Sequence, residues 1–200
     1  YEILRCLVGS EMCIRDRMAE GRKYEEVVLM TASLARLLRQ SISNEDEVVP
    51  LAREVEYAKG YLTIQKMRYK DKLEFEIDVE PSILNIPLIK LVLQPIIENA
   101  IYHGLKYKES KGLLQVKGFM KDGNAVLQVI DNGVGMDEET LSHIYDKHKV
   151  NYHSNGVGVY NVQKRLKLYY GENYGITYES EKGVGTTATI TIPGIQEESI

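Results

Sequence analysis

The sequence contains no tryptophan, only two phenylalanines and only two cysteines among its 200 residues. Cys6 and Cys13 have no further cysteine or histidine cluster beside them, which excludes a disulfide framework and a cysteine-ligated zinc site. No apolar run reaches the roughly 18 residues that a membrane span requires, and the first residues lack the order of a secretory signal. A net charge of −4 argues against general nucleic-acid binding, which needs a basic face. A cytosolic, reducing setting fits these absences.

The composition that is present, 44% hydrophobic and 27% charged, is typical of a soluble protein with a core. Apolar residues recur every three or four positions from about Met18 to Ser43 and again after Pro50. The second stripe consists of Leu51, Val55, Ala58 and Leu62. The two patterns predict a pair of amphipathic helices, forming a hairpin that packs on itself or against a second chain.

After Lys72 the pattern changes to alternation, and KLEFEIDVE predicts a half-buried strand. The apolar stretch from Pro87 to about Leu105 predicts one long helix, and further helices are expected near Asp137 and over 158–170. Four later stretches predict strands: LLQVKGFM, AVLQVID, GITYES and TTATITI. The first two are joined by the turn-forming residues 121–124. This order favours a two-layer α/β sandwich over a doubly wound sheet.

The stretch QPIIENAIYHG places polar side chains in an otherwise apolar helix. Each buried polar group costs roughly 1–3 kcal/mol unless a partner satisfies it. Asn99 and His103 share one face of a helix, and an amide oxygen suits Mg²⁺, which takes few protein ligands and completes its shell with phosphate oxygens and water. A metal-bound nucleotide is therefore a candidate partner for this face.

Three glycine-bearing stretches follow, DNGVGM, GVGVYN and GVGT. None matches a dinucleotide fingerprint, a phosphate-binding loop with its lysine, or a calcium loop, and each alone is typical of an ordinary tight turn. As a set they suggest more. Asp131 ends an apolar strand, and its carboxylate could accept a hydrogen bond from the exocyclic amine of adenine. GVGVYN leads into a helix, whose positive end could hold phosphates.

ENAIYHG, DNGVGM, GVGVYNVQKRL and GVGT, in this order, resemble the N, G1, G2 and G3 boxes of the histidine-kinase ATP-binding domain, whose superfamily includes gyrase, Hsp90 and MutL. LLRQS, PLAREVEYAKGYLTIQKMRY and QPIIENAIYHG resemble the LytS/YesM-type branch of two-component sensor kinases. The resemblance covers about 18–193. It implies a partial dimerisation hairpin over 18–70, lacking the phosphoacceptor helix, an ATP-binding domain over 71–194 and a tail over 195–200.

The resemblance implies ATP and Mg²⁺ as cofactors. It makes Asn99 the metal ligand, places Asn99 and Glu98 in the catalytic set, and makes Asp131 the adenine anchor, which Thr186 supports through water. The implied cofactor-binding residues are Asn99, His103, Asp131, Gly133, Gly135, Met136, Gly156, Gly158, Val159, Gly185 and Thr186.

Residues 137–155 would form a mobile lid over the nucleotide. Lys147, His148, Lys149 and His153 could contact phosphate there, although solvated loop residues are the more ordinary interpretation. His143 is expected to be a surface or packing residue. His103 suits helix packing as well as a site role, and Arg165 suits a salt bridge.

Hydrolytic members of the superfamily carry a water-activating glutamate four residues before the magnesium asparagine, where this chain has Pro95. The resemblance therefore favours phosphoryl transfer to a protein side chain over hydrolysis. The Asn-Pro-His-Phe acceptor motif of this branch is absent, and the four histidines, at 103, 143, 148 and 153, all lie in the ATP-binding part. Residues 1–17 resemble nothing in the family and are interpreted as a truncated or foreign leader, with a divergent leader as the alternative.

The implied parent is a membrane-anchored receptor, joined to the membrane only through segments outside this chain, that forms a homodimer through its hairpin. It would pass phosphate to the receiver domain of a response regulator. Two alternatives remain at this point: a non-catalytic nucleotide-binding or dimerisation module, and an anti-sigma-type serine kinase. The helical hairpin argues against the second.

Overall fold

The computed structural model describes residues 47–108, 110–144 and 156–194, without the side chains of 156 and 157. The helix predicted over 18–43 and the lid residues after 144 lie outside these ranges. The strands are β1 (Val48–Pro50), β2 (Leu73–Val79), β3 (Pro87–Ile89), β4 (Gly112–Lys121), β5 (Asn124–Asp131), β6 (Gly175–Glu181) and β7 (Gly185–Pro193). The α-helices are α1 (Leu51–Tyr69), α2 (Leu93–Asn99), α3 (Glu138–Ser142) and α4 (Gly156–Tyr170).

Five strands form a mixed sheet in the order β2-β4-β5-β7-β6. β2 and β4 are parallel, and the other neighbours are antiparallel. The β4–β5 hairpin turns at Asp122 and Gly123, whose φ angles of 50° and 78° give the left-handed pair that suits the twist of a two-residue hairpin. The turn predicted at 121–124 is confirmed.

The helices cover one face of the sheet and share one core with its inward side chains. Leu62 of α1, Ile97 of α2 and Leu166 of α4 are fully or almost fully buried together with Leu127 and Ile190 of the sheet. The opposite face is polar and pairs across strands; for example, the Gln115 side chain donates to the Glu76 carboxylate at 2.6 Å. The predicted two-layer α/β sandwich is confirmed.

Helix α1 buries the stripe that the sequence predicted, with Leu51, Ala58 and Leu62 at most 1% exposed and Val55 partly buried. Pro50 stands directly before the helix, as the last residue of β1. The stripe packs on α2 and β2, so this helix belongs to the core of the sandwich. The division of the chain at residue 71 stays a prediction.

The single long helix predicted from Pro87 to Leu105 is wrong. Its first residues form β3, which pairs antiparallel with β1, and α2 begins only at Leu93 after a turn in which Leu91 has a φ of +62°. Residues 100–105 then continue α2 as a π-helix, closed by a bond from the Lys106 amide to the Ile101 carbonyl. Among the described helices, none is long and apolar enough to cross a membrane.

Candidate functional site

A cavity of about 560 Å³ lies between the α2–π-helix segment, the inner face of the sheet and α3. Six residues predicted for the site line it: Asn99, His103, Asp131, Gly135, Met136 and Thr186. They come from four separate elements, so the fold brings together positions that are up to 87 residues apart in the sequence.

Asn99 ends α2, and its side-chain oxygen is buried without a hydrogen-bond partner among the described residues. An unsatisfied buried acceptor costs about 1–3 kcal/mol, so a bound group that accepts its lone pairs would remove this cost. Two other buried oxygens, on Tyr61 and Gln65, also lack partners, but neither residue lines the cavity. Asn99 therefore combines an acceptor without a partner among the described residues with a place in the lining of a cavity large enough for a ligand.

Asp131 ends β5 with only 5% of its surface exposed. Its Oδ1 accepts the Gly133 amide at 2.8 Å. Burial raises the pKa of this carboxyl to about 6, and the backbone amides of Gly133 and Thr186 and the charge of Lys108 offset only part of the rise. The carboxylate thus keeps acceptor capacity that the protein does not fill, and a donor entering the cavity would stabilise its charged form.

Two glycines allow the Asp131 loop to approach the π-helix. A Cβ at Gly104 would lie 2.7 Å from Asp131 Oδ1, and a Cβ at Gly133 would collide with the Gly104 carbonyl group. The Val134 amide donates to that same carbonyl at 3.0 Å. Gly133 does not line the cavity; its small size serves the contact between the loop and the π-helix.

Gly135 and Gly185 pack the same loop against the β6–β7 turn. Gly135 has a φ of +63°, and a Cβ there would collide with the Glu181 carbonyl. A Cβ at Gly185 would collide with the Asp131 carbonyl. The Ser180 hydroxyl joins the two sides, since it accepts the Met136 amide at 2.8 Å and lies 2.8 Å from the Thr186 hydroxyl.

The remaining predicted residues lie outside the cavity lining. Gly156 begins α4, and Gly158 faces Pro95 in the first turn of α2, where an added Cβ would be 3.4 Å from the proline Cβ. Val159 is fully buried in the hydrophobic core. A side chain buried in the core does not contact a ligand in the cavity.

Glu98 is 6% exposed and accepts the Gln94 side-chain amide at 3.0 Å. It does not line the cavity, and burial raises its pKa. One residue along a helix turns a side chain by about 100°, which explains why Asn99 faces the cavity and Glu98 does not. This placement argues against the direct catalytic role predicted for Glu98.

His103 lies one turn beyond Asn99, exposed at the cavity wall. Partial burial and, to a smaller extent, the charge of Lys106 lower its pKa, which favours the neutral imidazole. Arg165 donates to the Lys90 carbonyl at 2.9 Å and does not line the cavity.

Helix α3, at the helix start predicted near Asp137, and the two residues after it form a wall of the cavity. Glu139, Thr140, His143 and Ile144 line the cavity, although His143 was expected to be a surface or packing residue. Asp137 caps this helix by accepting the Thr140 amide at 3.0 Å and the Thr140 hydroxyl at 2.6 Å. This cap agrees with the helix start that the sequence predicted near Asp137. Tyr178 of β6 is a further lining residue that was not predicted.

A model of the family described as "Histidine kinase-, DNA gyrase B-, and HSP90-like ATPase" matches residues 85–196, which contain the N-box helix and all three glycine boxes. The chain belongs to this family of ATPases. A second model, described as "Histidine kinase", matches residues 13–73, which places the chain in the sensor histidine kinase branch. The predicted resemblance is confirmed.

Individual relatives agree. Sensor histidine kinase YesM of Bacillus subtilis is 31% identical over 88% of this chain, and sensor protein LytS of Oceanobacillus iheyensis is 34% identical over 70%. The histidine kinase domain of the blue-light activated kinase from Erythrobacter litoralis superposes with a TM-score of 0.55 at 16% identity, covering 95% of this chain and 85% of that one, which supports the fold alone. The matches span only 29% of YesM and 24% of LytS.

Proposed function

We propose that this chain binds Mg-ATP and serves as the catalytic ATP-binding part of a sensor histidine kinase. The observation that carries the proposal is that Asn99, whose buried side-chain oxygen has no hydrogen-bond partner among the described residues, lines the same cavity as Asp131. An amide oxygen is a neutral ligand suited to Mg²⁺, whose remaining positions are commonly filled by water and phosphate oxygens. Within the described residues, no cluster of three or more carboxylate, histidine or cysteine side chains offers a competing metal site.

The cavity lining and the neighbouring start of α4 would contact different parts of the nucleotide. The Asp131 carboxylate would accept the exocyclic amine of adenine, and apolar side chains including Ile96, Val129 and Ala188 would contact the base. The N-terminus of α4, beside Pro95, would turn its free amides toward the phosphates. Bound Mg²⁺ would offset the charge of the phosphate oxygens during transfer.

The side chains near Asn99 favour transfer over hydrolysis. Pro95, four residues earlier, has no acid–base group, and Glu98 lies outside the cavity. We propose that an imidazole nitrogen of a histidine on another segment attacks the γ-phosphorus, that the bond to ADP breaks and that the imidazole proton leaves. The phosphate would then pass to a response regulator. Because no acceptor motif is present, the chain by itself is expected not to phosphorylate itself.

Substitution of Asn99 tests the nucleotide site. Asn99→Ala removes the neutral oxygen, so the gain in ATP affinity on adding Mg²⁺ should fall about 10–100-fold, the size of effect seen when metal-site groups are removed. Isothermal titration with and without Mg²⁺ measures this gain, and circular dichroism checks the fold. Asn173→Ala, at an exposed asparagine after α4, is the matched control. Unchanged Mg-ATP affinity in Asn99→Ala would contradict the assignment.

A transfer assay separates a kinase from a non-catalytic module. The chain is mixed with Mg-ATP and a fragment of a related kinase that carries the acceptor helix, and phosphohistidine is measured. A kinase domain labels the fragment, whereas a binding module takes up ATP and forms no product. Tight ATP binding without transfer would therefore favour the module.

A further inference from the structure

Glu54 is a buried carboxylate that the proposed reaction does not use. It stands in the first turn of α1 and is 2% exposed. Burial of a lone charge is costly unless hydrogen bonds compensate it. Burial indeed raises the pKa of Glu54, while three backbone amides and the charge of Arg165 lower it in part.

Those amides belong to the turn between β3 and α2. Glu54 Oε1 accepts the Leu91 amide at 2.8 Å, and Oε2 accepts the Val92 and Leu93 amides at 2.9 and 3.1 Å. Val92 is the residue that precedes α2 and Leu93 is its first residue. A side chain from a helix 37 to 39 residues earlier in the chain therefore replaces the local cap that α2 lacks.

The same turn is held from α4 on the other side. Arg165 donates to the Lys90 carbonyl at 2.9 Å. The Tyr170 hydroxyl accepts the Ile89 amide and donates to the Pro87 carbonyl, both at 3.1 Å. The strained backbone of Leu91, with its φ of +62°, persists between these two sets of contacts.

Helix α2 connects the turn that Glu54 holds to the cavity. Asn99 lies six residues after Leu93 on a helix that rises about 1.5 Å per residue, so a shift of the turn displaces Asn99 along or around the same short rod. Gly158, at the start of α4, packs on Pro95 in the first turn of α2. Glu54 thus holds the start of the helix that carries Asn99, whereas the start of α4 contacts that helix at Pro95, beyond the turn.

We propose that Glu54 is a positioning residue for the Asn99 site, linking helix α1 to the placement of the metal ligand. This inference rests on the proposed function. Residues 13–73, which the histidine-kinase model matches, include α1. A displacement of α1 would move the Glu54 carboxylate and with it the start of α2, so this segment could influence the proposed nucleotide site.

Glu54→Gln tests the proposal in the full chain. An amide at this place keeps the side-chain volume, but it turns a donor toward one of the amides that the carboxylate accepts. The gain in ATP affinity on adding Mg²⁺ should fall about 10–100-fold, while affinity for Mg-free ATP changes less than twofold, because a second group that orients a metal ligand typically has an effect of this size. Glu56→Gln, on the exposed side of the same helix, is the matched control and should keep the full gain.

The readout distinguishes positioning from stability alone. A merely structural role would lower the thermal midpoint but leave the ratio of the two affinities at the wild-type value, and that result would overturn the proposal. If Glu54→Gln does not fold, Tyr170→Phe displaces the same turn from α4, and an unchanged ratio in this variant would equally overturn it. Absence of Mg-ATP binding in the wild type would instead overturn the proposed function itself.

Discussion

The two buried acidic side chains, Glu54 at the α1–α2 junction and Asp131 at the cavity, are 2% and 5% exposed and differ in what satisfies them. Glu54 accepts three backbone amides and has the charge of Arg165 nearby. Asp131 accepts amides of its own loop and of the neighbouring strand, has the charge of Lys108 nearby, and lines a cavity. Burial alone therefore does not identify a functional carboxylate; the acceptor capacity left unfilled does.

Truncation of the two side chains should have opposite consequences. Glu54→Ala leaves three backbone amides at the buried turn without their acceptor and should lower the free energy of unfolding by about 3–5 kcal/mol. Asp131→Ala removes a carboxylate that the fold holds at a cost, so its free energy of unfolding should change by less than about 1 kcal/mol while ATP binding is lost. Urea denaturation and isothermal titration measure the two effects. Equal loss of stability in both variants would break the comparison.

The pH dependence of stability should sharpen the difference. The pKa of Asp131 is raised from 3.8 to about 6 in the folded protein. The protonated carboxyl therefore favours the folded state: this stabilising contribution is fully present below about pH 4 and is lost as the pH rises through about 6, where the buried carboxyl ionises. Without nucleotide, Asp131→Asn should match the wild type near pH 4 and exceed it by on the order of 2–3 kcal/mol above pH 7. Thermal unfolding across this range measures the difference.

The carboxyls of Glu54 and Glu98, whose pKa values are also raised, are present in both proteins, so their contributions cancel in the comparison. A variant that follows the wild type at every pH would contradict the burial of this charge.

Two helical glycines give the smallest expected effects and a matched pair. Gly104→Ala would press a methyl group toward Asp131 Oδ1, since an added Cβ lies 2.7 Å away, and should lower the free energy of unfolding by about 1–3 kcal/mol and weaken ATP binding. Gly60→Ala, in the interior of α1 with no atom within 4 Å of the added Cβ, should instead stabilise the protein by about 0.5–1 kcal/mol. Denaturation and nucleotide titration of both variants check this. Similar behaviour of the two would show that the contact between the π-helix and Asp131 is loose.

The five strands of the mixed sheet could be predicted because each carries its own signal, whereas β1 and β3 were not predicted. Alternating side chains mark β2, β4 and β7, and Asp122–Gly123 supplies the left-handed residues that a two-residue hairpin requires. The glycine boxes likewise identified the family, and the sequence predicted that Asn99 and Asp131 belong to one site; both line the same cavity.

The apolar stretch after Pro87 could not be divided correctly because its composition suits a strand and a helix equally well. Its division depends on the β1 strand that pairs with it and on the Glu54 carboxylate that caps α2. The helix near Asp137 was predicted, but the residues through which this segment lines the cavity were not. Which side of a short surface helix faces inward depends on packing and not on its own pattern.

The sequence by itself determined the family, the positions along the chain of the five strands of the mixed sheet, and the residue types at the proposed nucleotide site, because local spacing and the glycines carry that information. The tertiary structure decided where α2 begins, that Asn99 lines the cavity while Glu98 does not, and that Glu54 accepts three backbone amides while Asp131 keeps acceptor capacity at the cavity. These outcomes depend on contacts and hydrogen bonds between residues that are far apart in the sequence, and such contacts form only when the chain folds.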